Sequence, residues 1–199
     1  MIKAIIFDLN GIFIHSPDMS ESERLNKDFH IPPEEFFPKL EGVLEKIRQR
    51  NAGGAFQYWK PVLEEWKINL SEQEFWNYMF GAEKVSVVII NLARDLKERG
   101  IKIFTLSNTL LEAADYYYEH YSWMHEVIDK TYFSFQTGFK KPDKRAWENI
   151  LSENNLKPEE CIYFDDQDKH LKAPGSLGIK SFLFTSEKDL QDKINSELS

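Results

Sequence analysis

The sequence predicts an α/β fold: a Rossmann-like parallel sheet core in three α/β/α layers, interrupted after its first strand by an all-helical insertion. Three observations lead there. Short apolar runs recur at Ala4–Phe7, Ile101–Leu106, Cys161–Phe164 and Ile179–Phe184, alternating with helix-period segments. The first three of these runs end in polar groups: Asp8 and Asn10, Ser107 and Asn108, Asp165 and Asp166. Residues 16–83 show helical spacing throughout and no strand-like run. Strands that alternate with helices pair in parallel through right-handed crossovers. The expected division is therefore a core of 1–15 and 84–199 with a helical insertion of 16–83.

Taken in order, Ala4–Phe7 has the length and β-branching of a strand buried on both faces. A turn from Gly11 to Pro17 follows, and Gly11 lets the backbone bend tightly and approach a ligand. A polar helix is expected from Met19 to about Phe29. Pro32, Pro33, Glu34 and Glu35 open a second helix, with proline in the first turn and acids at the positive end of the dipole. Phe36, Phe37, Leu40, Val43, Leu44 and Ile47 supply its apolar spacing, and Asn51 to Gly54 break it. A third helix runs from about Phe56 to Trp66. Ser71 and Glu74 have the spacing of a capping box for a fourth, which Gly81 closes. The aromatic weight of this region, Trp59, Trp66 and Trp76, reads as packing between helices.

Val85 to Arg99 is amphipathic and stops at Gly100, a natural helix terminator, before the strand Ile101–Leu106. A helix then runs through Tyr116–Tyr118, and Val127–Phe133 is expected as a further strand. Gly138 to Asp143 forms a loop into a helix from about Lys144 to Asn154. After the strand Cys161–Phe164 come a helix from Asp168 to Leu177, the strand Ile179–Phe184, and a last helix from about Glu187 to Leu198.

Composition narrows the functional classes. The 199 residues are 42% hydrophobic and 29% charged, the balance of an ordinary folded protein with a core of normal size. A net charge of −8 disfavours nucleic acid and anionic membrane surfaces as partners. No apolar stretch approaches the roughly 20 residues that span a bilayer, and the N-terminus lacks a basic region followed by an apolar signal segment. The lone Cys161 excludes an intrachain disulfide, fits a reducing cytoplasmic compartment, and reads as a small buried residue.

An Asp at a strand tip is by itself compatible with a plain Asx turn. Here, however, the tips of a parallel sheet share one edge, where ligands of open α/β sheets bind. That edge would gather Asp8, Asn10, Ser107, Asn108, Asp165 and Asp166, with Lys140 and Lys141 from the loop before a helix. Crowded carboxylates repel and raise one another's pKa, and a hard divalent cation relieves this. Oxygen ligands without His or Cys suit Mg²⁺. A hydroxyl, backbone N–H groups and a lysine suit a phosphoryl group. Magnesium, phosphate and a free carboxylate together point to phosphoryl transfer to an aspartate.

Asp8-Leu9-Asn10-Gly11, Ser107-Asn108, Lys141-Pro142 and Phe164-Asp165-Asp166 resemble the four ordered motifs of the haloacid dehalogenase (HAD) superfamily. The helical insertion after the first strand resembles its subfamily with a helical cap. Small sugar-phosphate phosphatases and the phosphatase domain of soluble epoxide hydrolase are similar in layout. The resemblance implies Asp8 as a nucleophile that becomes an aspartyl phosphate, and Ser107 with the Asn108 backbone as phosphoryl donors. Lys141 pairs with nucleophile and phosphate. The metal set implied is Asp8, the Asn10 backbone carbonyl, Asp166, and Asp165 direct or through water. It also implies a small phosphorylated metabolite as substrate, chosen by the cap, with the Asn51–Gly54 break resembling the loop that reaches the site.

Position 10 departs from the pattern. Phosphatases of the superfamily carry a second Asp there, which protonates the leaving group and then activates water. The Asn10 amide can do neither. A native weak hydrolase, an introduced Asp→Asn replacement, and deamidation at Asn10-Gly11 each account for it. So does a phosphometabolite-binding or regulatory protein without turnover. Lys46 and Lys60 carry no mark of desolvation and read as solvated surface groups. His15 could face the site, whereas His30, His120, His125 and His170 show no metal-ligand spacing.

Overall fold

The computed structural model describes residues 1–47 and 54–198. In chain order these form β1 (Ala4–Phe7), β2 (Ile14–His15), α1 (Glu21–Phe29), α2 (Pro33–Ile47), α3 (Phe56–Glu65), α4 (Glu72–Phe80) and β3 (Lys84–Val85). Next come α5 (Val87–Glu98), β4 (Lys102–Ser107), α6 (Leu111–His120), α7 (Trp123–Val127), β5 (Lys130–Phe133), α8 (Ser134–Thr137) and α9 (Arg145–Glu153). The chain ends with β6 (Cys161–Asp165), α10 (Lys172–Leu177), β7 (Lys180–Leu183) and α11 (Glu187–Leu198). By proximity it separates into two units, Met1–His15 with Lys84–Leu110 and Tyr117–Ser199, and Ser16–Glu83 with Leu111–Tyr116.

The first unit holds a five-stranded sheet in the order β5-β4-β1-β6-β7, with every pairing parallel. Its central strands are sealed from water: all four residues of β1 and all five of β6 are buried. Side-chain alternation sends Ala4, Ile6, Phe104 and Tyr163 to one face, where α9 presents Trp147 and Ile150 and α10 presents Ala173. The opposite parity carries Phe7, which stacks on Phe164 at 5.8 Å and meets Phe13 edge-on at 5.4 Å. Helix α5 buries Ile89, Ile90, Ala93 and Leu96 and packs against β4, α7 and α11. The fold is thus α/β and Rossmann-like, with helices on both faces of a parallel sheet.

The second unit is helical and has its own core, in which Leu25, Phe36, Trp59, Leu63, Phe75 and Met79 are buried together. Helices α1 and α4 each start with a complete capping box, Ser20 with Glu23 and Ser71 with Glu74. Of the expected break at Asn51 to Gly54, only Gly54 lies within the described residues.

Several boundaries differ from expectation. Trp123–Val127 forms α7, and β5 begins only at Lys130, so the apolar Val127 and Ile128 belong to a helix and its exit. Short apolar runs fit either element, and the Trp-Met-His-Glu-Val turn buries Trp123, Met124 and Val127 on one side. The segment Asp168–Leu177 divides into a 3-10 turn at Asp168–His170 and α10. Ile14–His15 and Lys84–Val85 pair as an antiparallel ribbon too short for period-2 patterning to reveal.

Candidate active site

The site is built on the tip of β1. The Asp8 amide donates to the Phe164 carbonyl at 2.8 Å, extending the β1–β6 ladder by one bond, and the chain then leaves the sheet. Leu9 N–H donates to Asp8 Oδ1 at 2.8 Å, which fixes the carboxylate's rotamer. Gly11 has φ of 88°, and its N–H donates to the Ile14 carbonyl at 2.7 Å. A Cβ there would lie 2.5 Å from Asp166 Oδ2, so the glycine is what lets the Asp166 carboxylate approach the β1 turn.

Lys141 bridges two carboxylates. Its Nζ lies 2.6 Å from Asp8 Oδ2 and 2.7 Å from Asp165 Oδ2, and the whole side chain is buried. Asn108 holds the Lys141 backbone at both ends: Asn108 Nδ2 donates to the Lys141 carbonyl at 3.0 Å, and Lys141 N–H donates to Asn108 Oδ1 at 2.9 Å. The Asn108 side chain therefore orients the lysine loop, a role the motif reading did not assign to it. Ser107 Oγ donates to Asn10 Oδ1 at 3.2 Å, and Asn10 Nδ2 donates to the Tyr117 hydroxyl at 3.0 Å. The Asn10 amide is pinned on both sides.

Asp165 stands at the centre of a saturated network. Its Oδ1 accepts from Gln167 N–H at 2.8 Å and from His170 Nδ1 at 3.0 Å. Its Oδ2 accepts from Lys141 and from the Tyr163 hydroxyl. Each carboxylate oxygen has about two lone-pair sites, and here all are taken. With its oxygens so engaged Asp165 holds Lys141 in place, and it also stands among the groups that offer ligand atoms to an ion. Asp166, next in the chain, is exposed at the rim.

Tyr163 and His170 are parts of the site that the sequence reading missed. Tyr163 lies two residues before Asp165 on the same strand, so both point to one face, a signal that period-2 reasoning could have supplied. His170 shows no ligand spacing in the sequence. Its burial follows from the 3-10 turn that swings it back under Asp165, which no local pattern announces.

Electrostatics separate the carboxylates. Burial pushes the Asp8 carboxyl up to about 7, with Lys141 opposing and Asp165 and Asp166 adding repulsion. Burial also pushes Asp165 upward, but Lys141, Tyr163 and Gln167 outweigh it and hold the group below the usual carboxylate range. Two carboxylates compete for one ammonium, and the one with more donors keeps its charge. Asp166 is raised, by partial burial and then by Asp165.

Asp8, Asp165 and His170 offer ligand atoms within 4.8 Å of one another, a spacing that suits an ion. The Lys141 ammonium also lies between Asp8 and Asp165. Asp166, at the rim, is not one of the three residues that offer those ligand atoms. Carboxylate oxygens such as those of Asp8 and Asp166 are the donors that suit Mg²⁺.

The fold and this rim of acids around one lysine define a class: Rossmann-like α/β hydrolases whose chemistry sits at strand tips. The chain belongs to the haloacid dehalogenase-like hydrolase family, whose profile matches residues 2–178. It is 21% identical over 208 residues to a phosphatase of Mycobacterium tuberculosis, covering 100% of this chain and 94% of that protein. It is 22% identical to the bifunctional epoxide hydrolase 2 of Sus scrofa over 92% of this chain, but spans only 36% of that enzyme's length. Among solved structures, a HAD family enzyme of Bacteroides thetaiotaomicron superposes with a TM-score of 0.75 at 19% identity, over 92% of this chain and 93% of that one, a likeness of fold. An Asp→Ala variant of that enzyme was solved with magnesium and inorganic phosphate. A HAD-like hydrolase of Porphyromonas gingivalis is 25% identical, with a TM-score of 0.69 and coverage of 92% and 91%.

Proposed function

We propose that the protein is a Mg²⁺-dependent phosphatase of low turnover acting on a small phosphorylated metabolite. The observation that carries this is the Lys141 ammonium buried between Asp8 and Asp165, 2.6 and 2.7 Å from their oxygens. An ammonium so placed offsets charge on a nucleophile and on the phosphoryl group beside it. Asp8 attacks phosphorus and displaces the ester oxygen, which takes its proton from solvent water; water then attacks the acyl phosphate, loses its proton to solvent, and returns Asp8 with release of phosphate. Ser107 donates to a non-bridging oxygen. Asp8, Asp166 and the Asn10 carbonyl would hold magnesium, which when bound neutralises phosphoryl charge and keeps Asp8 ionised.

Asn10 neither protonates the leaving oxygen nor deprotonates water. Deamidation is a poor route to an Asp here, because the attacking Gly11 nitrogen is engaged with Ile14 and the amide is held by Ser107 and Tyr117. Those same bonds favour a second reading, a phosphometabolite-binding protein in which the amide is structural. Phosphate release from a panel of sugar and nucleotide monophosphates, with Mg²⁺ or EDTA, separates the two. Asn10→Asp is expected to gain about 100-fold or more. Tight ligand binding with no turnover by either form would establish the second reading.

A further inference from the structure

The first unit carries a second concavity that the strand-tip site does not use. It encloses about 360 Å³ and is lined by Pro142, Lys144, Lys169, Lys172, Ala173 and Ser176. One wall is the loop leading from Lys141 into α9. The other is the 3-10 turn and α10, where Lys172 and Ser176, four residues apart, share a face. No carboxylate lines it.

Some lysines of this chain sit against acids, as Lys3 on Glu160, Lys102 on Asp129, Lys180 on Glu197 and Lys193 on Asp189; what distinguishes Lys144, Lys169 and Lys172 is that all three line one concavity. Among the described residues, the exposed side chains of Lys144, Lys169 and Lys172 have neither an ion pair nor a hydrogen-bond partner. The acid nearest Lys144 in sequence, Asp143, is taken by Arg145, and Asp168, beside Lys169, is not part of the wall. Ammonium groups gathered without counter-charge repel one another. In a chain of net charge −8, this pocket is a local inversion of sign. The complement it lacks is an anion.

Its size argues for more than orthophosphate. Pockets for organic ligands begin at roughly 300 Å³, and Pro142, Ala173 and the lysine methylenes give apolar walls around the charged heads. We propose that this cavity binds a small organic molecule bearing two or more phosphate groups, at a site separate from the Asp8 centre. Pro142 directly follows Lys141, and Lys169 directly precedes His170, so both walls are continuous with groups that hold Asp165.

Calorimetric titration of the whole chain in EDTA, with ADP and with sodium tripolyphosphate, tests this. Comparison proteins are Lys144→Gln/Lys169→Gln/Lys172→Gln and Ser107→Ala. ADP is expected to bind wild type and Ser107→Ala equally, to weaken about tenfold or more in the triple variant, and to weaken with salt. Lys172→Glu alone, a single exposed change, gives the same loss should the triple variant fail to fold. No binding of either probe at millimolar concentration overturns the proposal. So does loss of binding in Ser107→Ala, or unchanged affinity in the lysine variants. Tripolyphosphate binding tighter than ADP would overturn the organic character of the ligand.

Discussion

Gly11 and Asp8 show how tightly single residues are constrained at the β1 tip. At Gly11 a positive φ and the neighbouring Asp166 carboxylate both exclude a side chain. Gly11→Ala is expected to cost about 1–3 kcal/mol in stability and to weaken Mg²⁺ binding, read by denaturant unfolding and by titration with the metal. Asp8 makes the opposite trade, since its carboxyl is pushed up to about 7 from an ordinary 3.8. A carboxyl raised on folding costs nothing below its unfolded pKa, and its penalty grows as pH rises toward the folded value. In EDTA, Asp8→Asn should therefore be more stable than wild type at pH 7, by an amount on the order of a few kcal/mol. The difference should shrink steadily to pH 4, and Mg²⁺ should reduce it. A pH-independent difference in melting temperature would contradict the raised carboxyl.

At the scale of elements, β4 and β5 offer a clean case. Thr105 and Thr131 are register partners, and Thr105 Oγ1 donates to Thr131 Oγ1 at 2.8 Å in a buried position. Thr131→Val removes the acceptor and leaves a buried hydroxyl alone, which costs about 1–3 kcal/mol. Thr105→Val/Thr131→Val removes both partners and should recover most of that loss in chemical denaturation. How well elements could be read from sequence follows the same logic. Runs such as Ile5-Ile6-Phe7 and Ile103-Phe104 announce themselves because burial on both faces demands unbroken apolar character. The β2–β3 ribbon and the α7–β5 boundary do not, because two-residue pairings and five-residue helices carry too little periodicity. The motif residues Asp8, Asn10, Ser107, Lys141 and Asp165 could be picked out from their positions at strand tips and in one loop. Tyr163 was within reach through its strand parity with Asp165, whereas Tyr117 and His170 were not, since their contacts exist only once the sheet is assembled.

For the whole molecule, the site belongs to one unit and the aromatic core around Trp59 to the other. Trp59→Ala should cost about 3–5 kcal/mol, yet leave Mg²⁺ affinity unchanged at temperatures where the protein remains folded. A parallel loss of affinity in metal titrations would mean that the helical unit contributes to the rim.

The sheet order has a consequence for how this chain comes into being. β1 is made first, yet its neighbours in register begin at Lys102 and Cys161. A ribosome must therefore deliver about half of these residues before β1 has one flank satisfied, and most of them before it has both. Until then Ile5, Ile6 and Phe7 are a sticky, unpaired segment, and sheets that wait on such distant partners form slowly. A chain truncated before Cys161 would carry Asp8 but neither Asp165 nor the β6 edge to receive it. Such products should be cleared by proteases rather than accumulate as partial enzymes.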